Sequence, residues 1–261
     1  MREFKVPNQE QIKFRKVTDR EFDSLSERYP QWKGECPTCK GQGVFRYKNF
    51  QWECDCQTQI NLARHYLLAN IGITYHSLGF DDLFEGKDEV KDFIQAYLDN
   101  WEFNKQYGRG IIFQGSLGTG KTFAQLLILK ELIKKGEKCW FVSFSTAVAD
   151  YVDAERRRDL MNQVRSAACL SLDEVPKAVS DRQRDLYEEV FESIIRFRVE
   201  NSMPTLMGTN LKNLSEIYPR VGSLLEMNHI YYEMIGEDTR SGSSKEAVDK
   251  LIKNNESRPV K

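Results

Sequence analysis

The sequence predicts an α/β protein: a parallel five-stranded sheet flanked by helices, with a small cysteine-bearing module ahead of it. Three observations predict this. Five short apolar runs, at 110–114, 138–143, 168–174, 204–210 and 229–235, alternate with stretches of helical period. The first run leads straight into a glycine-rich turn, Gly115-Ser-Leu-Gly-Thr-Gly-Lys-Thr122. Four cysteines stand in two close pairs well upstream of that turn. Strands alternating with helices form parallel sheets, because each crossover between parallel strands is a helix-length connection of right-handed sense.

The 261 residues suffice for one α/β domain and a small appendage. Hydrophobic residues make up 40% and charged residues 30%, the balance of a globular chain with a real core. The net charge of −1 excludes a broad cationic field, so contact with nucleic acid must rest on a local basic patch. No apolar run approaches the ~20 residues a membrane helix needs. The opening MREFKVPNQEQIKFRK lacks the apolar core of a signal peptide. A cytoplasmic protein is expected, and its six cysteines then argue for thiols or metal rather than disulfides.

The first element is the cysteine module. Cys36-x-x-Cys39 and Cys54-x-Cys56 suit tetrahedral Zn²⁺ with four thiolate ligands. Gly41 and Gly43 permit a tight turn after the first pair. Such a closed site leaves no position open for chemistry, so its expected role is to hold 30–60 together, a stretch too short to build a core. Fragments such as DREFDSLSERYPQW before it pack either on the module or on a partner. His65 follows on a predicted helix as a surface or packing residue.

The second element is the strand and glycine loop. Gly115, Ser116, Leu117, Gly118, Thr119, Gly120, Lys121, Thr122 and Phe123 form the expected ATP/ADP site. Glycines let successive backbone N–H groups aim inward at an anion, and the helix from about residue 122 to 135 adds its positive end. Lys121 is placed to reach the β/γ-phosphates and the Thr122 hydroxyl to hold Mg²⁺. Gly136 is the expected stop of that helix.

Downstream elements supply polar strand ends. The run at 168–174 ends in Asp173, expected to hold Mg²⁺, and Glu174, expected to polarise an attacking water. The run at 204–210 ends in Asn210, whose amide is placed to meet the γ-phosphate or the water. Ligands of such sheets sit at the carboxyl ends of the strands, where all these residues fall. Cys139 and Cys169 lie inside strands as core thiols. The arginine-rich helix at 153–165 reads as a solvated face or as a contact for single-stranded DNA. Phe141 and Phe144 read as core or as base-stacking surfaces.

Taken with MPTLMGTNLKNLSEIYPRVGSLLE, GEDTR and YHSLGFDDLFEG, the glycine loop and LDE strand end resemble the AAA+ ATPases of the bacterial and phage helicase-loader group, the DnaC/DnaI type. The resemblance covers roughly 74–240. It implies a P-loop AAA+ (ASCE) fold without a full lid, with Asn210 as sensor 1, Arg220 as arginine finger and Arg240 as sensor 2. Leu224 stands where family members often carry a second arginine. It further implies a phage-encoded ATPase in the host cytoplasm that binds a hexameric replicative DNA helicase, delivers it to single-stranded DNA and self-associates in its ATP state. The expected divisions are 1–70 for the zinc and helicase-interaction module, 71–240 for the ATPase domain and 241–261 for a polar, disordered tail. The same core also resembles IstB-type transposition ATPases, which bind DNA and a transposase but usually lack a four-cysteine module.

Overall fold

Two short strands, β1 (Val44–Tyr47) and β2 (Phe50–Glu53), pair antiparallel and lead into α1 (Asp55–Leu68). The computed structural model describes residues 39, 43–47, 50–80, 88–177, 180–214 and 218–235. Cys36, Arg240 and the predicted tail lie outside the described residues. A 3₁₀ turn at Ile73–Tyr75 follows α1, then α2 (Asp88–Asp99) and α3 (Trp101–Gln106). The sheet begins with β3 (Gly110–Gln114), and α4 (Lys121–Lys134) starts at the end of the glycine loop and stops just before Gly136, as expected. Next come β4 (Cys139–Ser143), α5 (Phe144–Val152), α6 (Ala154–Ser166) and β5 (Cys169–Val175). The described chain closes with α7 (Asp181–Glu200), β6 (Thr205–Thr209), α8 (Pro219–Asn228) and β7 (His229–Glu233).

The five predicted strands form one parallel sheet in the order β4-β5-β6-β3-β7. This is the predicted α/β class, a parallel five-stranded sheet flanked by helices. Strand side chains alternate between faces. Ile111 and Phe113 join α1, α2 and α4 in one core, while Ile112, Leu170 and Leu172 join α5, α7 and α8 in the other. Helix α4 is buried nearly all round because the sheet lies on one side and α1 and α2 on the other, which explains its run of Phe, Ala and Leu rather than a single apolar stripe. Each fully buried Leu, Ile or Phe contributes about 1.5–3 kcal/mol. Helix α1 belongs to this core too: Tyr66 is fully buried and the Phe141 N–H donates to the Ala69 carbonyl.

Phe144 is fully buried against Tyr187, Phe191 and Tyr218, which decides for core packing and against base stacking. Phe141 is partly buried against the first core. Cys139 and Cys169 are buried register partners, and burial raises both thiols, Cys169 to about 12. Such thiols stay protonated and inert. Arg156 of α6 pairs with Asp150 and Asp153, and Arg157 stacks on Tyr151, so two of its arginines face their own element's neighbours.

Two buried cations fix the ends of this scaffold. Lys130 of α4, 1% exposed, donates to the carbonyl oxygens of Tyr75, His76 and Leu78 and lies over the Tyr66 ring. It ties the segment approaching the glycine loop to the helix leaving it. Arg198 of α7, fully buried, donates to Thr205 Oγ1 and to the carbonyl oxygens of Val164, Ala167 and Pro204. Burial lowers its pKa only to about 10, so it remains a cation.

Candidate nucleotide-binding site

The glycine loop joins β3 to α4 at the carboxyl edge of the sheet. Gly115 is packed so closely that a Cβ there would meet the Met234 carbonyl oxygen at 2.4 Å. Gly118 and Gly120 take left-handed φ of 77° and 96°. A side chain at either would cost roughly 1 kcal/mol or more. The turn brings the Lys121 ammonium back onto its own loop, donating to the carbonyl oxygens of Gly115 at 2.9 Å and Ser116 at 2.6 Å. Thr119 braces the loop through its hydroxyl to the Ser116 carbonyl. Ser116 and Leu117 are exposed at the tip, and Phe123 is buried behind it, stacked on Tyr75. A lysine resting on carbonyl oxygens above a helix N-terminus is a site that an anion with several oxygens would complete.

Strand β5 reaches the loop from two positions away. Thr122 Oγ1 donates to Asp173 Oδ2 at 2.6 Å. Strand β6 lies between β5 and β3, and Gly208 is what lets the two sides meet. A Cβ at Gly208 would stand 2.1 Å from Asp173 Oδ1. The register steps from Leu172↔Met207 to Val175↔Thr209, so Asp173 and Glu174 together oppose Gly208. This is a bulge, uncommon in parallel pairs, and it sends the two acids different ways. Asp173 is 4% exposed and turned toward α4, whereas Glu174 is exposed with a left-handed φ of 57°. Strain of this kind, worth about 1–3 kcal/mol, concentrates at functional sites.

Asn210 lies exposed just past β6, and the loop after it is tied to β3 by Gln114 donating to the Lys212 carbonyl. Arg220, in the first turn of α8, is 55% exposed and pairs with Glu188 and Glu192 of α7. The structure thus brings Lys121, Thr122 and Asp173 into one cluster and holds Arg220 against its own chain. Gln125, Ser171 and Gly208 belong to the same cluster and were not predicted as site residues. Gln125 Nε2 donates to Asp173 Oδ1 at 2.6 Å, and Ser171 Oγ donates to Gln125 Oε1 at 2.8 Å. A signal for Gln125 existed: it is the one amide in the apolar run after Thr122.

Thr122 and Asp173 offer hard oxygen donors side by side, the donor set that suits Mg²⁺. The cysteines offer the opposite. Cys39, Cys54 and Cys56 bring their sulfurs within 4.8 Å of one another, with Cys39 and Cys56 at 3.5 Å. The Gly43 N–H donates to Cys39 Sγ. Cys54 immediately precedes α1 and Cys56 sits in its first turn, so a short C-x-C spacing converges where strand turns to helix. Three converging thiols fit a soft tetrahedral ion such as Zn²⁺. Cys36, the fourth expected ligand, lies outside the described residues. Among the described residues, no helix is long and apolar enough to cross a membrane.

No family model matches the chain. Over 174 residues it is 27% identical to the protein YqaM of Bacillus subtilis, covering 61% of this chain and 54% of that one. Over 149 residues it is 24% identical to the replicative helicase loader DnaI of the same organism, covering 54% and 44%. The chain spans about half the length of the curated relatives it matches. A crystal structure of the DnaC helicase loader superposes with a TM-score of 0.50 at 21% identity, covering 66% of this chain and 99% of that one. The fold is that of the DnaC helicase loader. DnaC is matched along nearly its whole chain, and at this identity the likeness to DnaC is one of fold.

Proposed function

We propose that this chain is an AAA+ ATPase of the DnaC/DnaI loader type, which binds a hexameric replicative DNA helicase and delivers it to single-stranded DNA. The observation that carries the nucleotide part is the Thr122–Asp173 contact, made beneath a lysine resting on a glycine loop. In this reading Lys121 exchanges its loop carbonyls for the β/γ-phosphates of ATP. Thr122 and Asp173 hold Mg²⁺, which neutralises phosphate charge when bound. Glu174, turned outward by the bulge, accepts a proton from the attacking water. Asn210 orients that water or the γ-phosphate, and Arg220 enters a neighbouring subunit's site. Arg240 contributes as sensor 2 by resemblance alone.

The helicase-contacting surface is assigned to 1–70, where thiolates gathered at Cys39, Cys54 and Cys56 hold zinc. The fold shared with DnaC and the partial sequence match to DnaI support the loader reading. The protein acts in the cytoplasm, that of a bacterial host if phage-encoded. Co-purification with a hexameric replicative helicase, with ATP and then ADP, tests it. A nucleotide-dependent complex is expected. Absence of any complex, with capture of a transposase instead, would replace this reading by that of a transposition ATPase.

A further inference from the structure

We propose that Gln125 is a positioning residue that acts through Asp173 and sets the affinity of the site for metal-bound nucleotide. The inference rests on the ATPase reading above. Asp173 has two carboxylate oxygens, and each is aimed. Oδ2 accepts from Thr122, and Oδ1 accepts from Gln125 Nε2 at 2.6 Å. A carboxylate only accepts, so the Gln125 amide nitrogen must face it and the amide oxygen must face away. That oxygen accepts from the Ser171 hydroxyl at 2.8 Å, and the remaining amide hydrogen reaches the Lys121 carbonyl at 3.3 Å. Every polar atom of the amide is used.

Gln125 and Ser171 are both fully buried. Their neighbours on α4 and β5, Ala124, Leu126 and Leu170, are apolar and fully or almost fully buried. A leucine at 125 would match these apolar neighbours but leave Ser171 Oγ and Asp173 Oδ1 without this partner, so what the amide adds is its grip on Asp173. Gly208 completes the arrangement, since a Cβ there would come within 2.5 Å of Gln125 Nε2 as well as 2.1 Å of Asp173 Oδ1. Ser171 orients Gln125, Gln125 orients Asp173, and Asp173 presents one oxygen beside the Thr122 hydroxyl. Outer partners of metal-binding carboxylates typically change metal affinity 10–100-fold when removed.

The test is binding of a fluorescent, non-hydrolysable ATP analogue to the full chain, measured without metal and across a Mg²⁺ titration. Gln125→Leu should leave metal-free affinity within about twofold and raise the Mg²⁺ midpoint about tenfold. Ser171→Ala, which keeps the amide but frees its far end, should raise the midpoint by a smaller factor, about threefold. A lower melting temperature with an unshifted midpoint would make Gln125 a structural amide and overturn the proposal. If Gln125→Leu does not fold, Ser171→Ala decides: a shifted midpoint supports the proposal and an unshifted one overturns it. A wild-type chain that shows no Mg²⁺-dependent binding overturns the ATPase reading itself. A normal wild type with unshifted variants overturns this inference alone.

Discussion

Arg220 is engaged by Glu188 of its own chain, Nε to Oε2 at 3.1 Å, with the arginine 55% exposed. Glu188 is only 11% exposed, so the pair is half-solvated: salt reaches the arginine and weakens it, and a stronger anion can draw the guanidinium away.

The first prediction follows from that pair. Arg220→Ala should leave the fold and ATP binding intact, with the melting temperature changed by no more than about 2–4 °C, yet lose DNA-stimulated hydrolysis. Mixing it with Glu174→Gln should restore part of the activity, through composite sites that pair an intact Glu174 with a neighbour's intact Arg220. Mixed oligomers that form without recovery would make Arg220 a partner of α7 only.

The second concerns the bulge. Lys121→Ala should lose tight ATP binding, because it removes the point charge on the phosphates. Glu174→Gln should bind ATP and not hydrolyse it. Glu174→Gly should be more stable than Glu174→Ala by about 1 kcal/mol, since only glycine adopts φ 57° freely. Denaturant titration checks the last comparison; equal stability would mean the left-handed turn is not kept in solution.

Metal analysis gives the third. One zinc per chain is expected. Cys54→Ser should release it and loosen the first turn of α1, which carries Cys56, through loss of the metal, since the Cys54 side chain makes no capping bond, while Tyr66 keeps the rest of that helix in the core. Helix α4 and the nucleotide site should persist, read as unchanged ATP affinity. A metal-free preparation with an undisturbed α1 would remove zinc from the account.

The fourth is a pH dependence. Burial pushes both His76 and His229 down to about 4. Folded, these rings stay neutral to about pH 4; unfolded, they take a proton below about 6.5. The unfolded state therefore binds more protons between those values, and stability is lost as pH falls through them. Each ring should account for about 2 kcal/mol between pH 7 and pH 5. Urea unfolding at those two values should show His229→Leu losing less stability than the wild type. An identical loss would mean that His229 is already charged or solvated in the fold.

What the sequence made legible was whatever local spacing encodes. The glycine loop, the strand carrying Asp173 and Glu174, and the stop before Gly136 are each written in consecutive residues. The bulge is not, because nothing in Leu-Asp-Glu-Val says that two residues will face one across a sheet. Strand order is not, because β6 slips between β5 and β3 only through long crossovers. Arg198 looks like an ordinary surface charge on a helix of mixed composition, and Lys130 is a charge within an apolar run that names no partner. Their acceptors lie on other elements, as with Tyr75 and Val164. Phe144 shows the reverse: two readings were open, and burial alone chose between them.

Arg198 has one further consequence. Its guanidinium takes hold of the chain just before β5, at Ala167, and at the start of β6, at Pro204 and Thr205. A lysine offers no planar fork and could not span both. Strands β5 and β6 are thus riveted together at the floor of the sheet, while its other rim carries the glycine loop, the bulge and Asn210. A slide of β5 along β6 would break the bonds to this one cation as well as those between the strands.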